Sequence, residues 1–447
     1  MVPGSSVVYI TGVVRPQGGL NSDLVEAIDS IAGRGTAKRL ATKIESSKSL
    51  HWKQLKPWLG ERVGLAITGF PSQITGASAI ENDLVVVAPT NDPSSARAWL
   101  TKHEKKGGAV WKVVGHYVLV GGAHAVGEAQ ATTAKTSLAS DPGFSSDMSQ
   151  LGSNALFSAY VPAHQLVSEL VPLLKNLPAY SSSAASRAAL SSAAKQAPPG
   201  SSVAVGFSAL HNQFRMDVVE DGIPHTSTST PVTGVATDVS SLPASSWLAI
   251  TLGGTLAKAG YVSKLSASLS KSLTTLQSLP GASGIGSQVG AGPLQFVVKD
   301  LLPALGPTEL SVGGTSRNSL QAGLVMAPDN SAAGGRLVAG IKRLVSGLPI
   351  SATSTGGRVA VTFGIRNLQQ LLHPSSTLAG NPTFKGALAQ LPAGAKADVY
   401  LNFSGINALA ALSPNAGSSS TMSVLHRLAY LIAGGTHSHF RLVLATH

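Results

Sequence analysis

Short apolar runs alternate with amphipathic stretches through the first half of the chain. Ser6–Val14 is rich in β-branched residues and predicts a strand, and the helical period of Ser22–Ala32 predicts a helix. Asp92 and Pro93 are typical of a helix start, so we expect a helix over Ser94–Lys105. Further apolar runs predict strands at 62–68, 83–88, 109–113, 117–120, 155–161, 201–210 and 213–219, the last two joined by a turn at His211-Asn212.

The second half repeats this order of elements. Leu248–Leu252 predicts a strand, Ala332–Val345 a helix, and Asp398–Phe403 a strand that leads into a helix. Consecutive strands joined by tight turns favour antiparallel pairing. We therefore predict the α+β class, with a mainly antiparallel sheet and helices packed on one face in each half.

Matched motifs about 240 positions apart predict an internal duplication. Val2-Pro3-Gly4-Ser5 is matched by Leu242-Pro243-Ala244-Ser245, and Ala88-Pro89 by Ala327-Pro328. The residues that mark the repeat are Trp58, Gly60, Phe144, Tyr160, Gly306, Phe384 and Tyr400. We predict a first repeat over 1–220, a linker rich in Ser, Thr and Pro over 221–241, and a second repeat over 242–447.

Composition limits the classes of protein to consider. The 447 residues suffice for two cores, and no apolar run is long enough to span a bilayer. The absence of cysteine excludes disulfides, zinc thiolate sites and cysteine nucleophiles. Met1–Gly4 carries no basic segment followed by an apolar one. Because Pro3 and the strand-like run Ser6–Val14 begin almost at once, we expect the numbering to start at the edge of a mature domain whose export or anchor segment has been removed.

The net charge of +12 is concentrated in the second half. Residues 1–239 hold 19 Lys and Arg against 17 Asp and Glu, whereas residues 240–447 hold 14 against 4. This asymmetry favours an anionic cell-envelope polymer or membrane surface as a partner of the second half. The alternative is a scatter of solvated cations, and the few aromatic residues do not favour specific nucleic-acid binding.

Two local motifs contain residues of the kinds that bind a ligand or a surface. Gly121–Gly127 follows a strand and opens a helix, as a phosphate-binding loop would, but lacks the G-x-G core, so a tight turn is the better interpretation. The cationic and aromatic stretch His51–Trp58 suits a membrane or polymer surface, although Trp58 also suits packing against the next strand.

Other motifs are weaker. Ser192 with Lys195 and Ser268 with Lys271 match S-x-x-K, a spacing expected by chance in a serine-rich chain. His437 and His439 share one face of a strand, but no clustered carboxylate supports a metal site there. We therefore assign no catalytic, cofactor-binding or metal-binding residue and expect no cofactor.

Three of these features together resemble a known family. They are Val2–Ser5 before a tyrosine-bearing strand, the run Trp58-Leu59-Gly60-Glu61-Arg62-Val63, and the strand over 83–88 that leads into a helix containing Trp99. Over most of its length the chain resembles the exported bacterial proteins grouped as the domain of unknown function 3352 family. The resemblance implies an extracytoplasmic, often membrane-tethered protein and supplies no catalytic residue.

We expect a non-enzymatic binding or scaffold protein of the bacterial cell envelope. One alternative is a hydrolase-type enzyme with a site at the interface of the two repeats, and another is a binder of polyanions or anionic membranes. A further possible partner is an apolar small ligand. The groups that line the largest cavity should distinguish binding from catalysis, because catalysis needs converging titratable side chains.

Overall fold

The elements below come from a computed structural model of the chain. It describes residues 1–46, 51–70, 81–104, 109–175, 197–223, 238–252, 308–316, 318–327, 331–344, 350–355, 357–365, 371, 373–411 and 420–447. The markers and motifs at Gly306, Ser192, Lys195, Ser268 and Lys271 lie outside these residues, as does most of the predicted linker.

The strands are β1 Val8–Val13, β2 Arg62–Ile67, β3 Leu84–Pro89, β4 Val110–Val114, β5 Tyr117–Gly121, β6 Ala155–Val161, β7 Ser202–Leu210, β8 Gln213–Asp221, β9 Ser246–Leu252, β10 Thr308–Gly313, β11 Gln321–Met326, β12 Ile350–Thr355, β13 Arg358–Phe363, β14 Lys396–Asn402, β15 Leu428–Gly435 and β16 His439–Thr446. The helices are α1 Gly18–Ala32, α2 Thr36–Glu45, α3 Trp52–Leu55, α4 Pro93–His103, α5 Ala123–Ala131, α6 Pro142–Leu151, α7 Ala163–Lys175, α8 Ser331–Leu344, α9 Pro382–Leu388, α10 Phe403–Ala410 and α11 Ser420–Leu425. The α+β class is confirmed.

Contacts divide the chain into two compact units. Unit 1 comprises Met1–His225 and His437–His447, and unit 2 comprises Thr226–Thr436. The predicted division placed β16 in the second repeat, whereas its contacts lie with unit 1. The reason is that β16 pairs antiparallel with β8 over seven residues, from His439↔Val219 to Ala445↔Gln213.

Unit 1 is built on an antiparallel sheet in the order β16-β8-β7-β6-β1-β2-β3-β5-β4. The central strand β1 pairs with β2 through Tyr9↔Ala66 and with β6 through Tyr9↔Tyr160. The hairpin between β7 and β8 turns at His211-Asn212 as predicted, with Asn212 in the left-handed region at φ 54°.

Helices pack on both faces of the unit 1 sheet, so the prediction of one covered face was wrong. Leu119 packs with Ala125 and Val126 of α5, whereas its neighbour Val118 packs with Ala96 and Leu100 of α4. Since successive residues of a strand point to opposite faces, α4 and α5 lie on opposite sides. The continuous apolar run of β3, which lacks alternation, is typical of a strand buried on both faces.

Unit 2 has the order β12-β13-β11-β10-β9-β14-β15. This is the order of β4-β5-β3-β2-β1-β6-β7 in unit 1, strand for strand. Pro3 O accepts a hydrogen bond from Ser6 N at 3.1 Å before β1, and Pro243 O accepts one from Ser246 N at 2.9 Å before β9. The same turn therefore leads into the central strand of each unit.

The aromatic markers form the same contact in each unit. Phe144 and Tyr160 pack edge to face with ring centroids 5.0 Å apart, and Phe384 and Tyr400 do so at 5.1 Å. Tyr160, Phe384 and Tyr400 are buried, and Phe144 is partly buried. Each phenylalanine lies in the first turn of a helix, α6 or α9, whose preceding residue caps it with a side-chain oxygen.

Candidate functional site

The candidate site is a cavity of about 500 Å³ inside unit 1. It lies over strands β1, β2, β3, β5 and β6, on the face that α6 covers. This volume is within the range of small-molecule sites, about 300–1,000 Å³. The lining residues are Met1, Val2, Tyr9, Thr11, Arg62, Gly64, Val87, Pro89, Tyr117, Ser137, Leu138, Ala139, Phe144, Met148, Gly152, Ser153, Ala155 and Ser158.

Arg62 supplies the charged side chain of this lining. It is half-buried at the start of β2, where Val13 of β1 is its pairing partner. Its Nη2 donates to the carbonyl oxygens of Ser153 at 3.1 Å and Ala155 at 2.7 Å. Within the part of the chain that the structure describes, no carboxylate pairs with Arg62, so main-chain dipoles alone offset its charge.

Tyr9 lies beside Arg62 on the central strand. A Cβ at Gly64 would come 2.8 Å from Tyr9 Cε2, so glycine is required for the ring to lie across β2. The ring of Tyr9 also packs edge to face against Phe144, with the ring centroids 5.8 Å apart. Burial raises the pKa of Tyr9, while a hydrogen bond with Thr11 and the positive charge of Arg62 act in the opposite direction.

The rest of the wall is mainly apolar. Val87, Leu138, Phe144 and Met148 contribute hydrocarbon or aromatic surface, and Tyr117 adds a further phenol. The cavity thus combines an apolar wall with one cationic side chain and several hydroxyl groups. This is the composition of a site that orients a ligand through a few polar contacts.

The lining chemistry is suited to binding an anion. A guanidinium stays protonated in proteins and presents several N–H donors, so it binds carboxylates and phosphates but does not serve as a proton acceptor near neutral pH. The lining residues described include no histidine and no carboxylate. The groups that converge here are therefore Arg62 and the phenols of Tyr9 and Tyr117.

The sequence markers Trp58 and Gly60 lie in the core and do not line this cavity. Trp58 is buried against Ala96 and Leu100 of α4. Gly60 N donates to Pro89 O at 2.7 Å, and a Cβ at Gly60 would come 2.8 Å from Pro89 Cβ. The packing interpretation of Trp58 is therefore confirmed.

The glycine-rich stretch at 121–127 also has a packing role. A Cβ at Gly121 would lie 2.0 Å from Leu84 O, and one at Gly122 would lie 2.2 Å from Asn82 Cα. His124, in the first turn of α5, pairs through Nδ1 with Asp83 at 2.8 Å. The glycines thus permit close backbone approach at the end of β5, as the tight-turn interpretation requires.

His439 belongs to a buried ionic cluster on β8 and β16. Its Nε2 donates to Asp217 Oδ1 at 2.7 Å, and Arg441 Nε donates to the same oxygen at 2.7 Å. Arg215 Nε lies 2.7 Å from Asp217 Oδ2. Among the residues that the structure describes, no group of three His, Cys, Asp or Glu side chains is arranged to hold a metal ion.

Two further findings bear on the wider context of the site. The chain matches no protein-family model, none of the curated proteins and no solved structure. No helix in the described ranges is long and apolar enough to cross a membrane. The family resemblance and the location outside the cytoplasm therefore stay predictions.

No motif in the sequence directly indicates the cavity. Arg62 stands in the motif that resembles the exported family, but nothing in its neighbours indicates that its guanidinium faces a cavity. The ring of Tyr9 lies across Gly64, which is 55 positions away in the sequence and is a glycine within an apolar strand. A glycine inside a strand often marks close approach by another group, and this was the available signal.

Proposed function

We propose that the protein is a non-enzymatic binding protein whose unit 1 cavity takes a small amphipathic molecule with an anionic group. The observation that carries this proposal is the position of Arg62, a cation without a carboxylate partner among the described residues, at an otherwise mainly apolar cavity. A buried or half-buried guanidinium offers charge-assisted hydrogen bonds to a carboxylate or phosphate. The apolar wall supplies the area that a hydrocarbon portion would cover.

The ligand class follows from both parts of the wall. A purely apolar ligand would leave Arg62 without an anion, and a small inorganic anion would leave Val87, Leu138 and Met148 uncovered. A medium-chain carboxylate satisfies both regions. The phenols of Tyr9 and Tyr117 add donors beside the guanidinium, which suits an acceptor-rich head group.

The proposal includes a location in the bacterial cell envelope, outside the cytoplasm, as implied by the resemblance to the domain of unknown function 3352 family. Cell fractionation of a source bacterium with an antibody against the protein tests this part. Recovery only with cytoplasmic markers would contradict it. The binding proposal does not depend on this result.

We also infer that units 1 and 2 arose by internal duplication. The common strand order, the equivalent turns at Pro3 and Pro243, and the two edge-to-face aromatic pairs support this inference. Seven strands in the same order, with α4, α6 and α7 of unit 1 at the places that α8, α9 and α10 occupy among the described residues of unit 2, are improbable as independent outcomes. An experimental structure in which one unit had a different strand order would contradict the duplication.

Calorimetric titration of the full chain with decanoate tests the binding proposal. We expect saturable binding of decanoate and none of decyltrimethylammonium, which has the same chain length and the opposite charge. Arg62→Gln should weaken decanoate binding at least about tenfold, since a hydrogen bond to a charged group contributes roughly 1.5–3 kcal/mol. The matched control is Arg97→Gln, at an exposed arginine on α4.

A steric variant locates the binding site. Ala139 lines the cavity and is itself exposed, so Ala139→Trp should fill the opening without disturbing the core. We expect this variant to keep its melting temperature and to lose decanoate binding. Equal binding of the cationic and anionic probes, or unchanged binding by both variants, would contradict the proposal.

A further inference from the structure

Helix α2 stands out of unit 1 with little covering it. Ala37 is buried, but every residue from Lys38 to Ser46 is exposed. The start of the helix is held by Asp29 of α1, whose carboxylate accepts hydrogen bonds from Gly35 N and Ala37 N, both at 2.8 Å. The helix is thus anchored at one end and bare along the rest of its length.

One side of this bare helix is apolar. Leu40 is 46% exposed and Ile44 is 51% exposed. Four residues apart, they lie on the same face of the helix, next to Ala41. Two large exposed aliphatic side chains in succession on one helix face are unfavourable in water, because each leaves hydrocarbon surface hydrated.

The sequence that contains this apolar face is rich in cations. Residues 34–56 hold seven Lys and Arg and one acid, Glu45, whereas the rest of 1–239 holds 12 Lys and Arg against 16 Asp and Glu. Glu45 is already paired with Lys56 of the neighbouring segment at 2.8 Å. Lys38 and Lys43 are exposed on α2, and Lys53 is exposed on α3.

We propose that α2 and the segment 52–56, together called the α2–α3 surface, bind an anionic lipid bilayer. A helix with an apolar face, a cationic remainder and low overall hydrophobicity lies in the plane of a membrane interface. Leu40 and Ile44 enter the boundary of headgroups and acyl chains, and the lysines meet the anionic headgroups. The helix lies on the bilayer and does not cross it.

Charge and apolarity together select this partner. A second copy of the chain would bring two strongly cationic surfaces together, which is unfavourable. A nucleic acid would satisfy the cations but leave Leu40 and Ile44 in water. A bilayer with anionic lipids satisfies both the cations and the apolar side chains.

Sedimentation of the full chain with vesicles tests the apolar contribution. We expect binding to phosphatidylcholine vesicles that contain about one third phosphatidylglycerol, weakening as salt rises, and little binding to phosphatidylcholine alone. Leu40→Ser combined with Ile44→Ser should lower the partition coefficient at least about tenfold. Val110→Ser, at a 40% exposed aliphatic residue of β4, is the matched control and should leave binding unchanged.

A second pair of variants tests the charge and its location. Lys38→Glu combined with Lys43→Glu should lower binding to anionic vesicles at least about tenfold, since each cation near an anionic surface contributes roughly fivefold. The control is Lys342→Glu with Arg343→Glu, at two exposed cations of α8 in unit 2. Equal losses in both pairs would show that overall charge drives binding and would overturn the assignment to α2.

The absence of cysteine permits a direct test of insertion. Ala41→Cys and Thr42→Cys each create a single thiol for an environment-sensitive fluorophore, the first on the apolar side of α2 and the second on the opposite side. We expect a blue shift on anionic vesicles for the label at 41 and little shift for the label at 42. Equal shifts at both positions, or no shift at either, would overturn the proposal.

Discussion

Units 1 and 2 share a strand order but differ in the side chains at the centre of the sheet. In unit 1, Thr11 pairs with Gly64, and the ring of Tyr9 lies across that glycine. In unit 2, Thr251 pairs with Glu309, and Ala249 stands where the tyrosine would be. The glycine and tyrosine that shape the unit 1 cavity are thus replaced by a buried carboxylate and a small side chain.

The strand beside the central one, β6 in unit 1 and β14 in unit 2, also differs in the side chain at this place. Ser158 of β6 lines the unit 1 cavity and lies two residues before Tyr160. Asp398 of β14 lies two residues before Tyr400 and therefore occupies the corresponding position in unit 2. Burial and the nearby charge of Asp238 raise the pKa of Asp398 to about 6. The side chains described at this place in unit 2 therefore differ from those of the anion site that we propose in unit 1, and a shared frame does not imply a shared function.

The largest expected effect concerns the aromatic pairs. Phe384→Ala removes a fully buried ring and should reduce the free energy of unfolding of unit 2 by about 3–5 kcal/mol. Phe144→Ala removes a partly exposed ring at the edge of a cavity, so unit 1 should lose less, about 1–3 kcal/mol. Hydrogen exchange on peptides from each unit measures the two losses separately, and a larger loss in unit 1 would contradict this asymmetry.

An intermediate effect depends on pH. The raised pKa of Asp398 means that the folded state holds its proton more tightly than the unfolded state, in which the pKa is near 3.8. The contribution of Asp398 to the stability of unit 2 is therefore fully present below pH 3.8, where the carboxyl is neutral in both states. It is lost as the pH rises through about 6. Asp398→Ser should stabilise unit 2 by roughly 2 kcal/mol at neutral pH and by little in acid; this is less than the full pKa shift implies, because the carboxyl is partly exposed and solvent screens it.

The reciprocal substitution is the control for this effect. Ser158→Asp places a carboxyl at the corresponding position of unit 1, where Arg62 lines the same cavity, so its ionisation should be better tolerated and its effect on stability should depend less on pH than that of Asp398. Denaturant unfolding at both pH values, followed by hydrogen exchange in each unit, measures the changes. A pH-independent effect of Asp398→Ser would contradict the assigned ionisation.

The smallest effect should be nearly equal in the two units. Asp141 Oδ1 accepts from Phe144 N at 3.1 Å at the start of α6, and Asn381 Oδ1 accepts from Phe384 N at 3.2 Å at the start of α9. Replacing either cap by alanine should cost about 1 kcal/mol. Asn381 also donates to Ala244 O, so its loss should be slightly larger. A loss confined to one unit would show that the caps are not equivalent.

Local signals in the sequence were sufficient for local structure. The Asp92-Pro93 pair predicted a helix start, and α4 begins at Pro93 with Asp92 Oδ1 accepting from Ser94 N and Ser95 N. Such contacts lie within four residues, so the sequence contains all their participants. The hairpin at His211-Asn212 was predictable for the same reason.

The residue pairs between strands could not be predicted from local sequence. Ala88 pairs with Val118 in unit 1, and Met326 pairs with Val359 at the corresponding place in unit 2. Strand pairing therefore places Met326 at the position equivalent to Ala88. The sequence match of Ala88-Pro89 with Ala327-Pro328 had placed Ala327 there, one position away. The cavity likewise depends on strands that are far apart in the chain, and neither hydropathy nor spacing records which side chains meet there.

The position of β16 has a consequence for synthesis on the ribosome. His439 reaches Asp217 across 222 positions, so at about 5–20 residues per second the outer edge of β8 waits roughly 10–45 s for its partner strand. An uncovered strand edge invites pairing with other nascent chains, and inward-facing charges discourage such pairing. Arg215 and Asp217 are already present on β8 during this interval. The ion pair that later joins β16 thus also protects an unfinished sheet, and unit 1, the first to emerge, is the last to be completed.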